Sequence, residues 1–303
     1  MTMGPGDQVG AYRVVATYPG GGYRALHVAT QQCVHLDVRA ADEWREQAVR
    51  GLRAATLVGA LTHPGVARIV AVGGWTPPGA PGGVLADRRT WLASELAEGV
   101  PLGDVLARRQ LTVDETIALV HDLAEVLAHA HERGLVHGAI QPYAIIMRTG
   151  ERPFAISLGG WGDVRAPDSV PAAAPLFTVY TAPELVRGVF DGRADSYALG
   201  VLAHRALTGR FPTTPEWLDG APDSFASLIV RALALEPAGR PTAAELMAKT
   251  STAVGMQDDR ALPSTRLSRP RWTPAPPTSG TPTVEERRVA DIIDLAIARR
   301  QRT

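Results

Sequence analysis

The sequence predicts an α+β protein with a sheet-forming N-terminal part and a mainly helical C-terminal part. Before residue 99, short alternating runs of apolar and polar residues are separated by turn residues, which is typical of antiparallel strands. From residue 99 onward, apolar residues recur at helical spacing instead. The length of 303 residues and the 45% hydrophobic content are sufficient for a sizeable core.

Changes in these patterns divide the chain into five segments. A short Gly/Pro lead is followed by a small lobe, a large lobe, a linker rich in Pro, Ser, Thr and Arg, and a final amphipathic helix. The corresponding residues are 1–11, 12–98, 99–255, 256–282 and 283–303.

Five antiparallel strands and one helix are expected in the small lobe. Three strands fall within residues 12–38, and two more are expected at 66–72 and 91–96. The helix begins after Asp42, a good N-cap residue, and ends near Leu61. Its apolar face is predicted from helical spacing to consist of Trp44, Ala48, Leu52, Ala55 and Val58.

The large lobe is predicted to be a set of helices with one short hairpin. Thr112 and Glu115 form a capping box that opens a long helix to about Arg133. The hairpin pairs residues 145–147 with residues 154–158. Further helices are expected at 102–109, 196–207, 215–218, 223–235 and 242–252.

The final helix carries an apolar stripe that has to be buried somewhere. A second capping box begins at Thr283, and the stripe consists of Val289, Ile292, Ile293, Ala296 and Ile297. Three locations remain open: the large lobe of the same chain, a partner or second copy, and a membrane surface.

Composition excludes several classes of function. The 31 basic and 31 acidic residues balance, so nothing indicates wholesale binding of nucleic acid or membrane. Cys33 is the single cysteine, which excludes an intrachain disulfide. No signal-peptide pattern and no apolar run of about 18 residues is present, so we expect a cytoplasmic protein without a transmembrane segment. Lys249 is the only lysine and asparagine is absent, which restricts any mechanism that needs either residue.

Five ordered motifs run through the large lobe. They are Leu135-Val136-His137 with Pro142, Thr181-Ala182-Pro183-Glu184, Asp195-Ser196-Tyr197-Ala198-Leu199-Gly200, Leu207-Thr208-Gly209-Arg210-Phe211-Pro212 and Arg240-Pro241-Thr242-Ala243-Ala244-Glu245-Leu246. Their order and intervals resemble the protein kinase superfamily, specifically bacterial Ser/Thr kinases of the eukaryotic-like type, over residues 12–254. The resemblance implies a two-lobed protein-kinase-like fold, with a five-stranded antiparallel N-lobe that carries one helix and a mainly helical C-lobe.

The resemblance implies structural roles for four residues of these motifs. Glu184 is expected to form a bidentate, partly buried ion pair with Arg240, and the alternative is a surface ion pair. Asp195 is expected to brace the backbone of the loop that begins at His137, and the His137 ring to pack beneath that loop.

The positions that carry out chemistry in the family hold other residue types here. The resemblance places the phosphate-gripping lysine at Asp37 and the metal-binding D-F-G segment at Leu158, Gly159 and Gly160. It places the catalytic loop residues at Gly138, Ala139, Gln141 and Ala144. A shift of one residue places Gly159 rather than Leu158 at the metal-binding aspartate, and neither residue binds magnesium. Asp163 remains as a candidate displaced ligand, with a solvated loop carboxylate as its alternative. Arg53 and Ala54 stand near the expected position of the helix acid.

The nucleotide-binding features are altered as well. Gly20, Gly21, Gly22 and Arg24 align with the glycine-rich loop, but Pro19 replaces the first glycine and offers no amide proton. We favour an ordinary hairpin turn there, although Arg24 could attract an anion. His35 stands where a small residue roofs the adenine, so we expect its ring to fill the purine site. In the alternative, His35 swings out and the pocket stays open. No cofactor and no metal are expected.

Together these features predict an inactive kinase-like domain, a pseudokinase, that serves as a scaffold or regulatory binding module. The alternatives are a metal-independent nucleotide sensor and an atypical transferase or hydrolase that uses Asp163. Expected partners are proteins, among them an active Ser/Thr kinase or a phosphothreonine-binding protein, with Thr273 and Thr281 as candidate phosphorylation sites. A passive linker is the alternative for those two threonines, and the final helix is compatible with a homodimer. No nucleic-acid motif is present.

Overall fold

The order of elements along the chain reproduces the predicted change from strands to helices. The computed structural model describes residues 3–18, 22–39, 44–79, 88–148, 155–166, 178–189, 191–212, 218 and 220–255. The strands are β1 (Gln8–Val9), β2 (Tyr12–Thr17), β3 (Tyr23–His27), β4 (Cys33–Val38), β5 (Ile69–Trp75), β6 (Arg89–Glu95), β7 (Gly99–Pro101), β8 (Ile145–Arg148) and β9 (Ile156–Leu158). The α-helices are α1 (Trp44–Gly59), α2 (Leu102–Leu106), α3 (Val113–His131), α4 (Arg193–Thr208), α5 (Asp223–Ala232) and α6 (Ala243–Gly255).

The N-lobe sheet has six antiparallel strands in the order β1-β2-β3-β4-β6-β5. The prediction of five strands was wrong because the Gly/Pro lead itself contributes β1. Gln8 pairs with Arg13 and Val9 with Tyr12, through a tight turn in which Gly10 has a φ of 56°. Buried residues alternate with exposed or half-buried ones in β2 and over Cys33 to Asp37 of β4, as the sequence pattern indicated, whereas β3 shows no clear alternation. One face of the sheet forms a core around Tyr12, Leu36 and Trp91.

Helix α1 is present as expected, but its buried face is rotated from the predicted one. Gly51, Ala54 and Val58 are buried, whereas Leu52 is 58% exposed and Val49 is 66% exposed. Gly51 lies on the sheet side, where an added Cβ would come within 3.1 Å of the Val72 side chain. The small residue allows the helix to approach the sheet closely, and this contact sets the rotation of the helix.

The C-lobe is built around α3, which is buried along most of its length. The predicted capping box is confirmed, because the Glu115 amide donates to the Thr112 hydroxyl and the Thr112 amide to the Glu115 carboxylate. The main core joins α3, α4, α5 and α6 with the C-terminal end of α1. Helix α1 therefore shares the apolar interior of the helical part, whereas the core around Tyr12, Leu36 and Trp91 on the sheet is a separate cluster.

A small second sheet lies beneath the junction of the two lobes, in the order β7-β8-β9. Its β8–β9 pair is the predicted hairpin, with Ile145 opposite Leu158. None of the helices in the described ranges is long and apolar enough to cross a membrane. The predicted helix at 215–218, except residue 218, lies outside the described residues, as do the linker at 256–282 and the final helix at 283–303.

Candidate functional site

A cleft between the N-lobe sheet and the helical part brings together most of the predicted site residues. Its cavity has a volume of about 500 Å³. The walls come from β4, the end of β6, the loop after His137 and the segment after β9. The residues on these walls decide what chemistry the cleft can support.

Strand alternation turns His35 and Asp37 toward the cleft, because Val34 and Leu36 face the sheet core. The His35 ring stacks on Tyr18, with ring centroids 5.6 Å apart and planes at 26°. Gly22 lies against the ring, since an added Cβ would come within 2.6 Å of His35 Nε2. Burial lowers the pKa of His35, although the Asp37 charge acts to raise it. His35 is thus turned into the cleft rather than out of it, beside a cavity that is still open.

Asp37 is part of a charged group that includes a residue missed by the sequence reasoning. Its Oδ2 atom lies 3.1 Å from Nε of Arg39. Arg39 also donates Nη1 to Oδ1 of Asp163 at 2.7 Å and Nη2 to Oδ2 of Asp163 at 3.0 Å. Arg39 lies two residues beyond Asp37, at the end of the same strand face, and this spacing was the available signal.

The charge of Asp163 is maintained by its neighbours. Burial acts to raise the pKa of Asp163, but Arg39 outweighs it, and Arg165 and Arg50 act in the same direction as Arg39. The net result is a pKa below the ordinary value for an aspartate. The carboxylate oxygens that a displaced metal ligand would need are therefore occupied by the Arg39 guanidinium.

The loop after His137 lines the cleft with small or uncharged groups. Gly138, Ala139, Gln141 and Ala144 all border the cavity. Gly138 has a φ of 71°, and its amide donates to Oδ1 of Asp195 at 2.8 Å. The Ala139 amide donates to Nδ1 of His137 at 3.2 Å. None of these four side chains can accept a proton from a hydroxyl at neutral pH.

The segment after β9 presents glycines to the cleft. Leu158 is fully buried in the main core and does not border the cavity, whereas Gly159 and Gly160 do. The Gly159 amide donates to the Ala144 carbonyl at 2.7 Å, which joins this segment to the loop. Among the described residues, no group of three or more His, Cys, Asp or Glu is arranged to hold a metal ion.

Beneath the loop lies a fully hydrogen-bonded group centred on Asp195. Asp195 accepts from the amides of His137 and Gly138 and from Nε2 of His131, at 2.8 to 2.9 Å. Burial acts to raise the pKa of Asp195, but its hydrogen-bonded neighbours outweigh burial and lower the pKa, His131 first and the Gly138 amide among them. The His137 ring donates from Nε2 to the Gly159 carbonyl at 2.9 Å and packs on Trp161. His131 was not assigned a role from sequence, although its position at the end of α3 places it here.

Glu184 and Arg240 form a bidentate ion pair in the interior, with N–O distances of 2.5 and 2.8 Å. Arg240 is 1% exposed and Glu184 is 5% exposed, so the surface alternative does not describe this pair. The remaining donors of Arg240 reach three backbone carbonyls, those of Ala234, Leu235 and Arg193. Every polar group of the pair therefore has a partner.

Other predicted residues are not part of the cleft or lie outside the described ranges. Arg24 is exposed and donates from Nε to Sγ of Cys33 at 3.1 Å, and neither residue borders the cavity. In α1, Arg53 is exposed and Ala54 is buried in the core. Pro19, Gly20, Gly21, Thr273 and Thr281 lie outside the described residues.

Sequence comparison relates the chain to bacterial protein kinases. It is 27% identical to the Serine/threonine-protein kinase pkn2 of Myxococcus xanthus over 311 aligned positions, which cover 90% of this chain and 36% of that protein. It is 31% identical to the Serine/threonine-protein kinase PknL of Mycobacterium tuberculosis over 212 residues, covering 61% of this chain and 51% of that protein. The Serine/threonine-protein kinase PknB of the same species is 28% identical over 234 residues, covering 73% of this chain and 35% of PknB.

These relatives support a protein-kinase-like superfamily and an α+β kinase-like fold. No family model matches the chain. The chain spans about a third of the length of the first relatives that it matches.

Proposed function

We propose that this chain, a homologue of bacterial Ser/Thr kinases, is a catalytically inactive pseudokinase that acts as a scaffold or regulatory binding module in bacterial signalling. The observation that carries the proposal is the identity of the groups on the cleft walls. Asp37 occupies the strand position where the resemblance places a lysine, and Ala139 occupies the position of the proton-accepting aspartate. Gly159 and Gly160 border the cavity where a metal-binding carboxylate would be needed.

The size of the expected catalytic loss supports inactivity. Loss of a general base alone costs roughly 10²- to 10⁴-fold in rate. Loss of electrostatic stabilisers costs comparable factors, and such losses are not additive when the groups act as a unit. Rescue by a relocated lysine is excluded by composition, because Lys249 is the only one and lies on α6, outside the cleft lining.

Retention of the supporting structure favours a binding role over loss of all function. The Asp195 group and the Glu184–Arg240 pair leave the loop and the helical part fully braced. A folded two-lobed body without transfer chemistry is suited to presenting surfaces to other proteins. The partner classes that fit are an active Ser/Thr kinase and a phosphothreonine-binding protein, with Thr273 and Thr281 as modification sites.

Calorimetry and a phosphotransfer assay test the inactivity. We expect no tight magnesium-dependent ATP binding and no transfer of the γ-phosphate to the chain or to Ser/Thr peptides. The matched control restores Asp37→Lys, Ala139→Asp, Ala144→Asn and Gly159→Asp together in a variant whose folding is checked separately. Tight metal-dependent ATP binding by the natural chain, or measurable transfer, overturns the proposal.

A metal-independent nucleotide sensor is the second candidate, and the open cavity of about 500 Å³ favours it. In that case ATP binds with the same affinity in magnesium and in EDTA. The variant His35→Ala then distinguishes a true site from weak surface binding, because removal of the ring enlarges the roof of the cavity. Unchanged affinity in that variant excludes the cleft as the nucleotide site.

The scaffold role is tested by deleting residues 284–303, which carry the apolar stripe. We expect the deletion to weaken capture of the partner from the native cell. The control keeps the segment and replaces Thr273 and Thr281 with alanine, which separates the stripe from the phosphorylation sites. Equal capture by the full chain and the deletion variant removes this segment from the interaction.

A further inference from the structure

We propose that Arg39 is a latch that holds the two lobes together across the cleft without any bound ligand. Arg39 directly follows β4 in the N-lobe sheet, and Asp163 ends the short 3₁₀ turn Trp161–Asp163 on the opposite wall. The two residues are 124 positions apart in sequence, and two parallel hydrogen bonds of 2.7 and 3.0 Å join them. The contact therefore ties one lobe directly to the other.

The geometry of the contact makes it stronger than an ordinary surface ion pair. A bidentate guanidinium–carboxylate pair fixes orientation as well as distance. The Arg39 side chain is 17% exposed and that of Asp163 is 30% exposed, so solvent screens the pair only partly. By contrast, the ion pair of Arg68 with Glu95 lies at the N-lobe surface, where the Arg68 side chain is 63% exposed.

Both walls of the cleft are shaped to hold the Arg39 side chain. On the N-lobe side, the Arg39 amide donates to the Thr90 carbonyl at 2.8 Å, and Asp37 accepts from Nε. On the opposite side, Gly162 leaves room for the guanidinium, because an added Cβ would come within 2.5 Å of Nη2. The turn itself is anchored by Trp161, which is buried and donates from Nε1 to the Leu158 carbonyl at 2.7 Å.

The latch lies at the end of the cleft where the resemblance places phosphate-gripping and metal-binding groups. The protein thus supplies its own cation and carboxylates at that place, and the lobes meet through them. The latch does not depend on whether the cleft is inactive, since an ion pair between the walls can form in either case. Its test measures lobe orientation and leaves nucleotide binding as a separate readout.

The distance between two spin labels, one on each lobe, measures the latch directly. Val28 is 39% exposed on the N-lobe and Leu235 is 74% exposed on the C-lobe. With Cys33→Ser to remove the natural thiol, labels at Val28→Cys and Leu235→Cys report the lobe-to-lobe distance distribution. We expect a single narrow distribution in the otherwise natural chain without ATP or magnesium.

In this labelled background, Arg39→Met and Asp163→Asn each broaden the distribution. They also raise hydrogen exchange in residues 156–165 by about tenfold, because a locally opened state becomes more populated. The matched control Arg68→Met removes an arginine ion pair within one lobe and leaves both readouts unchanged. Combining Arg39→Met with Asp163→Asn adds little to either single variant, because both remove the same contact.

Two results overturn the latch: a distribution that is already broad in the natural chain, and one that stays narrow in both single variants. If Arg39→Met does not fold, Arg39→Lys replaces it, because lysine keeps the charge but loses the bidentate contact. Calorimetry with ATP on the same samples tests the proposed inactivity separately. A narrow distribution with tight magnesium-dependent ATP binding supports the latch and overturns the inactivity. A broad distribution without such binding overturns the latch and supports the inactivity.

Discussion

Carboxylates are paired differently in two parts of the molecule, which we call the braces and the cleft wall. The braces are Asp195 with its hydrogen-bond donors and the Glu184–Arg240 pair. The cleft wall contains Asp37 beside Arg39. In the braces, Asp195 and Glu184 are almost fully buried, and each carboxylate is matched by backbone amides or by a guanidinium. In the cleft wall, the side chain of Asp37 is 40% exposed and accepts one hydrogen bond from Arg39. We therefore expect the fold to depend on Asp195 and Glu184 more strongly than on Asp37.

This difference explains how a kinase-like architecture can be kept when the residues on the cleft walls differ from those that the resemblance places there. The braces pair with the backbone of the loop and of the segments around it, so the loop keeps its course whatever side chains it presents to the cleft. Gly138, for example, is fixed by its amide and not by a side chain. The Asp37 side chain faces the cavity and takes no part in this bracing, so we expect its replacement to leave the architecture in place.

The largest expected effect comes from Glu184→Gln in the braces. The substitution keeps the size of the side chain but leaves the Arg240 charge buried without its counter-ion, which costs about 3–5 kcal/mol of unfolding free energy. Urea denaturation of both proteins measures the loss, with the slope of each transition checked for two-state behaviour. A loss below about 1 kcal/mol would place the pair among surface ion pairs and contradict the comparison.

The second effect is a loss of stability as the pH falls below neutral. Burial lowers the pKa of His137, although Asp195 acts to raise it. In the folded protein Nδ1 of His137 accepts from the Ala139 amide and Nε2 donates, so an added proton has no acceptor. The unfolded chain takes up this proton near pH 6.5, and each proton changes the unfolding free energy by at most about 1.4 kcal/mol per pH unit.

The contribution of His137 is therefore fully present above about pH 6.5 and is lost as the pH falls toward the lower folded-state pKa. Denaturation at a series of pH values between about 7 and 5 measures the slope for the natural chain and for His137→Gln. We expect a shallower slope in the variant. The variant His35→Gln reports the separate share of His35, whose pKa burial also lowers. Equal slopes for the natural chain and His137→Gln contradict the assignment.

The sequence predicted most of the elements but not the close contacts between them. Helical spacing located α1, but its rotation depends on Gly51 lying against Val72, and spacing alone does not indicate such a contact. Strand β1 was missed because two residues carry no periodicity, and it forms only by pairing with β2.

For the candidate site, too, the sequence predicted positions along the chain but not the contacts between distant residues. Motif resemblance predicted that Asp37 and the loop after His137 lie in one cleft, and both border the same cavity, because strand and loop positions follow from the order of elements. Arg39 was missed because its partner Asp163 lies on the opposite lobe. The spacing from Asp37 indicates only that Arg39 lies on the same strand face, whereas its pairing with a distant segment depends on the three-dimensional arrangement.

A smaller loss of unfolding free energy is expected from Gly138→Ala, in the loop whose backbone is hydrogen-bonded to Asp195. Gly138 has a φ of 71° and open space around its Cα, so the cost is backbone strain of about 1–2 kcal/mol rather than a clash. The control is Gly59→Ala at the end of α1, where space is also open and φ is not positive. Thermal and urea denaturation should show a loss for the first variant and none for the second. Equal changes in stability for the two variants would mean that the loop after His137 can adopt another backbone conformation without cost.

The smallest loss of unfolding free energy is expected from Asp37→Asn, which makes in the cleft wall the same change that Glu184→Gln makes in the braces. Both substitutions turn a carboxylate into an amide of the same shape, but the Asp37 side chain is 40% exposed and Arg39 keeps its bidentate contact with Asp163. Solvent compensates for most of the lost charge, so we expect a change within about 1 kcal/mol in unfolding free energy. Urea denaturation beside Glu184→Gln provides the direct test. If Asp37→Asn costs as much as Glu184→Gln, the cleft wall is itself a brace, and the proposed difference between the two regions is wrong.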